Sequence, residues 1–68
     1  MEKGTKVRFT KGPLGLFDTD DHRHFCDEVV HADDTGIYEG EHPDVPGWHL
    51  VRVGELVCPV APVHFTEA

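Results

Sequence analysis

Sixty-eight residues with 13 acidic against 6 basic side chains, a formal net charge of −7 and 38% hydrophobic content make one small domain, residues 1–68, near the lower limit for an unaided hydrophobic core. No apolar run approaches the about eighteen residues of a membrane span, the start MEKGTKVRF has no apolar signal region, and the acid excess repels phosphate backbones. The expectation is a cytoplasmic protein with no membrane partner and nucleic acid disfavoured. Cys26 and Cys58, without a CxxC pair, exclude a disulfide framework and point to reduced thiols.

The first element is TKVRFT, residues 5–10, where Val7 and Phe9 alternate with Lys6, Arg8 and Thr10 as in a half-buried strand. KGPLG follows, and its Gly12, Pro13 and Gly15 break regular structure, so Leu14, Leu16 and Phe17 are expected to fold back over an open end of the core. The stretch DTDDHRHFCDE, residues 18–28, is polar enough for a loop or for two ragged arms of a long hairpin. If it were extended, Asp18, Asp20, His22, His24, Cys26 and Glu28 would share one face.

CDEVVHA, residues 26–32, is expected as the second strand through its β-branched Val29 and Val30. Asp33, Asp34, Thr35 and Gly36 supply a turn, with a positive φ expected at Gly36, and Ile37 to Glu39 return as the third strand. EGEHPDVPG is a loop stiffened by Pro43 and Pro46. WHLVRV, residues 48–53, alternates Trp48, Leu50 and Arg52 against His49, Val51 and Val53, with apolar residues on both faces as in a barrel wall. Gly54 and Glu55 make a two-residue hairpin into Leu56–Val60, where Pro59 limits pairing, and APVHFTEA ends in a short helical turn and a tail. These elements predict an all-β fold: a small five-stranded barrel with a long acidic loop between strands one and two and a short 3-10 turn near the C-terminus. Closure would also remove exposed strand edges.

GWHLVRV followed by VAPVHFTE resembles the second half of an SH3 domain, with Trp48, Pro62 and Phe65 in comparable order and spacing to the family's Trp and Pro-x-x-Tyr positions. That resemblance implies an SH3-like barrel in which those three positions help form a groove for proline-rich peptides, beside an acidic loop that selects a basic ligand residue. Phe65 stands where the family has tyrosine, and no ALYDY-like motif opens the chain. TKVRF and ADDTGIYEG also resemble KOW-type and other bacterial SH3-like barrels. Both resemblances imply the barrel, and neither implies a particular ligand.

The charge is uneven. Residues 1–17 balance at +3 through Lys3, Lys6, Arg8 and Lys11 against Glu2, whereas residues 18–44 balance at −9. The function expected is therefore a small acidic protein-binding module or accessory subunit, phage-borne in one version, that engages a basic partner surface. Its charged contacts would be Asp18, Asp20, Asp21, Glu39, Glu41 and Asp44, and its apolar anchors Tyr38, Trp48, Pro62 and Phe65, since aromatic side chains recur at binding hot spots. A plainer role for Trp48 is to be the main core residue.

Two alternatives use other residues. His22, His24 and Cys26 have the i, i+2 spacing of a strand-borne site for a transition metal, with zinc suited to the N/S/O set, although a solvated HRH loop and a core cysteine are the simpler account of them. The basic first strand, Lys3 to Lys11, would carry a nucleic-acid-associated barrel. No catalytic residue is assigned: serine is absent, and Cys26 with His22 or His24, or Cys58 with His49 or His64, would need a pocket that so small a barrel scarcely holds. Six histidines, His22, His24, His31, His42, His49 and His64, would allow protonation in mild acid to weaken attraction to a basic partner, although six exposed, independent imidazoles are the plainer reading.

Overall fold

A computed structural model describes residues 1–18 and 25–68, and for residues 25 and 26 the backbone alone. Seven strands occur among these residues: β1 (Lys6–Phe9), β2 (Leu14–Asp18), β3 (Phe25–Val30), β4 (Thr35–Glu41), β5 (His49–Val53), β6 (Leu56–Val60) and β7 (Phe65–Glu67), with a 3-10 turn over Pro62–His64 before the last. They form one sheet in the order β3-β2-β6-β5-β4-β1-β7, and every neighbouring pair is antiparallel.

The all-β expectation and the 3-10 turn hold, and the strand number is seven rather than five. One extra strand is β2. Gly12 and Pro13 do end β1, but the chain resumes extension at once, burying Leu16 and half-burying Leu14 and Phe17 between β3 and β6. The other is β7, which returns after the 3-10 turn to pair with β1, Phe9 opposite Phe65 and Val7 opposite Glu67. A consequence is that Thr10–Pro13, not the acidic stretch, joins the first two strands, and Asp18 closes β2 while Phe25 opens β3.

The pairing of β2 with β3 is irregular. Between Gly15↔Val29 and Phe17↔Phe25 the register slips, and Asp27 has φ 58°, a left-handed backbone. Continuous extension from 18 to 28, which the one-face spacing needs, therefore fails at Asp27.

A single cluster holds the core. It joins Leu16 and Val30 from β2 and β3 to Val7 and Phe9 from β1, with Tyr38, Val51, Cys58 and Val60 from the strands between. In a flat sheet at about 4.8 Å per strand, β3 and β1 would lie roughly 24 Å apart in this order. They contribute to one cluster because the sheet curls around it. β1 shows the sequence logic most simply, with Val7 and Phe9 fully buried and Lys6 and Arg8 exposed.

Turns follow local chemistry, with one exchange of roles. Asp34 N–H donates to the His31 carbonyl at 3.1 Å, the Asp34 side chain accepts from the His31 N–H at 2.8 Å, and Asp33 takes the positive φ of 77°. Gly36 has no positive φ, contrary to expectation; it lies in β4, where close approach of β5 leaves no room for a Cβ. Gly54 has φ 64° and Glu55 has no positive φ, the pattern of a type II′ hairpin turn. Pro59 is accommodated because β2 pairs with β6 only at Leu56 and Val57, leaving the β2-facing side of Pro59 without a ladder partner among the described residues.

Candidate functional site

The start of β5 and the end of β6 build the best-defined surface feature. β4 and β5 pair as Tyr38↔Val51 and then as Gly40↔Leu50, so Glu39 is an extra residue in a β-bulge, and Gly40 takes φ 113°. Beyond the bulge Glu41 stands opposite His49. Along β5 the alternation resolves into an inner row, with Val51 fully buried and Val53 against the core, and an outer row that includes Leu50 and Arg52. Trp48 falls in phase with the outer row and is 38% exposed, while the largest fully buried side chain is Phe9. Trp48 is thus a surface residue and the core is organised around another aromatic.

Aromatic and imidazole rings connect this surface to the core. The buried Tyr38 ring stacks on Phe65 with centroids 6.1 Å apart, and its hydroxyl is 2.8 Å from His49 Nδ1. His49 meets the Phe65 ring edge-on at 5.6 Å, and Trp48 meets His64 edge-on at 6.4 Å. Tyr38 is buried and Phe65 half-buried in this ring cluster, whereas Trp48, whose ring partner is His64, and Pro62 are exposed. Val45, whose carbonyl accepts the Trp48 N–H, and Val63, beside His64 in the 3-10 turn, are exposed by 40% and 78% and were not anticipated as anchors. Their neighbours Pro46 and Pro62 were the available signal, since a valine beside proline in a loop has few ways to reach a core.

Two imidazoles hold the segments on either side of Trp48. His42 Nδ1 accepts the backbone N–H groups of Asp44 at 3.0 Å and Val45 at 3.1 Å. The same loop is tied to Trp48 by two backbone bonds, His42 N–H to the Trp48 carbonyl at 2.8 Å and Trp48 N–H to the Val45 carbonyl at 3.2 Å. On the other side His64 Nδ1 accepts the Ala61 N–H at 3.3 Å across the 3-10 turn. Thr10 adds two bonds to that turn, its hydroxyl to the Val63 carbonyl and its N–H to the His64 carbonyl, both at 2.9 Å.

The expected acidic contacts divide. Glu39 is bonded to Arg52 Nε across the sheet, so its charge is matched within the fold. Glu41 and Asp44 are exposed beside the His42 loop, and Asp18 is half-buried at the end of β2, on a different strand from Trp48. Asp20, Asp21, His22 and His24 lie outside the described residues, and Cys26 is placed by its backbone in β3. Among the described residues no three His, Cys, Asp or Glu side chains form a group able to hold a metal. On the basic first strand Arg8 pairs with Asp33 at 3.0 Å, and Lys3, Lys6 and Lys11 are exposed. No helix among the described residues is long and apolar enough to cross a membrane.

Cys58 is a free thiol, fully buried on β6, and burial pushes its pKa from an ordinary 9.0 up to about 11. A nucleophilic cysteine needs the opposite displacement. Because the unfolded chain loses this proton more easily, the contribution is intact below pH 9 and is lost as pH rises through about 11. Alkaline denaturation should cost the wild type roughly 2 to 3 kcal/mol more over that interval than it costs Cys58→Ala. Urea unfolding at several pH values measures the difference, and equal slopes would refute it. No family model, curated protein or solved structure matches the chain.

Proposed function

We propose that this chain is an SH3-like barrel that serves as a small acidic protein-binding module, taking a basic segment of a partner across Trp48. The observation that carries the reading is the exposed indole of Trp48, bonded through its backbone to the loop that bears Val45 and the exposed carboxylates Glu41 and Asp44, and in ring contact with His64 of the turn that bears exposed Pro62 and Val63. An exposed indole held by its neighbours gives contact area at little entropic cost, and the carboxylates beside it favour lysine or arginine in the partner. The acidic stretch that begins at Asp18 extends the same preference for a basic partner. Zinc at His22, His24 and Cys26, and nucleic acid along the first strand, gain no support from the geometry of the described residues.

A display library of extended peptides, sorted against the immobilised domain, tests the proposal. Lysine- and arginine-containing peptides should be enriched, and their binding should weaken with salt. Trp48→Ala should weaken the selected peptides roughly thirtyfold, as loss of a central aromatic anchor does, with a thermal melt confirming that the variant is folded at the assay temperature. Enrichment indifferent to peptide charge, or a Trp48→Ala domain that selects the same peptides equally well, would remove this function.

A further inference from the structure

We propose that His42 and His64, in their neutral forms, fasten the two sides of the Trp48 surface, and that protonating them in mild acid releases both sides while the sheet stays folded. The inference concerns the surface itself and holds whatever docks there.

The argument starts from donor and acceptor roles. A backbone N–H can only donate, so an imidazole nitrogen that receives one must carry a lone pair. His42 Nδ1 receives two, from Asp44 and Val45, and His64 Nδ1 receives one, from Ala61. Both rings are therefore neutral with the proton on Nε2. An imidazolium carries N–H at both positions and would set donor against donor at each bond. Histidine is the side chain whose charge ordinarily changes between about pH 5 and 8. His49 is the internal contrast, because its partner is the Tyr38 hydroxyl, which can donate to a neutral ring or accept from a charged one.

Glu41 and Asp44 flank His42 in its own segment, and His49 faces Glu41 from β5. Those carboxylates attract an imidazolium, whereas the Asp44 and Val45 N–H groups oppose a proton on Nδ1, so the two bonds at Nδ1 are what protonation breaks. His64 faces the Trp48 ring from β5 and is joined through its backbone to Thr10, next to Lys11. Among the described residues no carboxylate is bonded to it, and an outward rotation gives up the edge contact with the indole. The loop from His42 to Trp48 contains Val45, and the 3-10 turn contains Pro62 and Val63, so both releases change the apolar surface around Trp48.

Hydrogen exchange by NMR on the intact chain decides the matter, with each amide corrected for its intrinsic pH dependence and referred to Val51 in the core. From about pH 7 to about pH 5, the Asp44, Val45 and Ala61 amides of the wild type should lose roughly tenfold in protection relative to Val51. Two substitutions supply acceptors that do not titrate. His42→Asn can bond the N–H groups two and three residues on, and His64→Gln can reach back to the N–H three residues before it. The first should abolish the acid loss at Asp44 and Val45 alone, the second at Ala61 alone. Protection independent of pH, variants that respond as the wild type does, or parallel loss at Val51 would each overturn the proposal. Should either variant fail to fold, the nitrogen shifts of the wild-type imidazoles at neutral pH still test it: Nε2–H is expected for His42 and His64, and Nδ1–H on either ring refutes its role.

Discussion

Phe9→Ala is expected to bring the domain to the edge of unfolding at room temperature. Phe9 is fully buried, is the largest side chain so enclosed, and sits in the cluster that joins β1 to β2 and β3 at the far end of the sheet order. Truncating a buried phenylalanine costs about 3 to 5 kcal/mol through lost transfer energy and the cavity left behind. At about 0.05 to 0.15 kcal/mol per residue, a chain of this length holds only roughly 3 to 10 kcal/mol in total. The position also concentrates backbone bonding: Phe9 N–H donates to the Asp34 carbonyl and its own carbonyl accepts from Asp33 N–H, each at 2.8 Å, while β7 pairs on the other side through Phe65. Thermal melts by circular dichroism should show a fall of roughly 15 to 30 °C. Val63→Ala, at an exposed site, should stay within about 0.5 kcal/mol of wild type. A Phe9→Ala melt close to the wild-type curve would mean that the curled sheet is not held by this core.

The features legible in the sequence were those in which local pattern and tertiary packing agree. TKVRFT alternates, and β1 buries the two residues that the alternation selects. Gly54 makes the hairpin that its neighbours suggested. The missed strand β2 is different: GPLG carries two glycines and a proline within four residues, yet Leu14, Leu16 and Phe17 gain more from lying between β3 and β6 than the glycines lose. WHLVRV offers apolar residues on both faces, so alternation alone could not say whether Trp48 or Val51 points inward. The bulge at Glu39 and the pairing of β5 with β6 decide it in favour of Val51. For the surface around Trp48, composition signalled an excess of histidine but not its use. The acceptor roles of His42 and His64 depend on loop geometry that no periodicity encodes.

Gly36→Ala is expected to be among the most damaging single-methyl additions in the chain, for a reason unrelated to backbone dihedrals. A Cβ built at Gly36 would lie 2.6 Å from Val51 Cγ1, 2.7 Å from the Arg52 carbonyl oxygen and 3.2 Å from Val53 Cγ2. Val51 is fully buried, and the Arg52 carbonyl belongs to a strand paired on both sides, so neither neighbour can withdraw without disturbing the core or the ladder. Overpacking of this kind costs about 1 to 3 kcal/mol or more, and the upper part of that range is expected here. Gly54→Ala supplies the contrast, because a Cβ there meets nothing within 4 Å and only the φ of 64° opposes it, worth about 1 to 2 kcal/mol. A double-mutant cycle separates the two contacts at Gly36. If the Val51 methyl dominates, Gly36→Ala combined with Val51→Ala will melt well above the sum of the single losses. If the Arg52 carbonyl dominates, the losses will add within about 0.5 kcal/mol, because truncating Val51 leaves the backbone contact in place. Since the carbonyl cannot move while β5 stays paired to both neighbours, at most partial rescue is expected. Gly36 is therefore required by the approach of β5 to β4, where the curled sheet leaves room for a hydrogen atom and nothing larger.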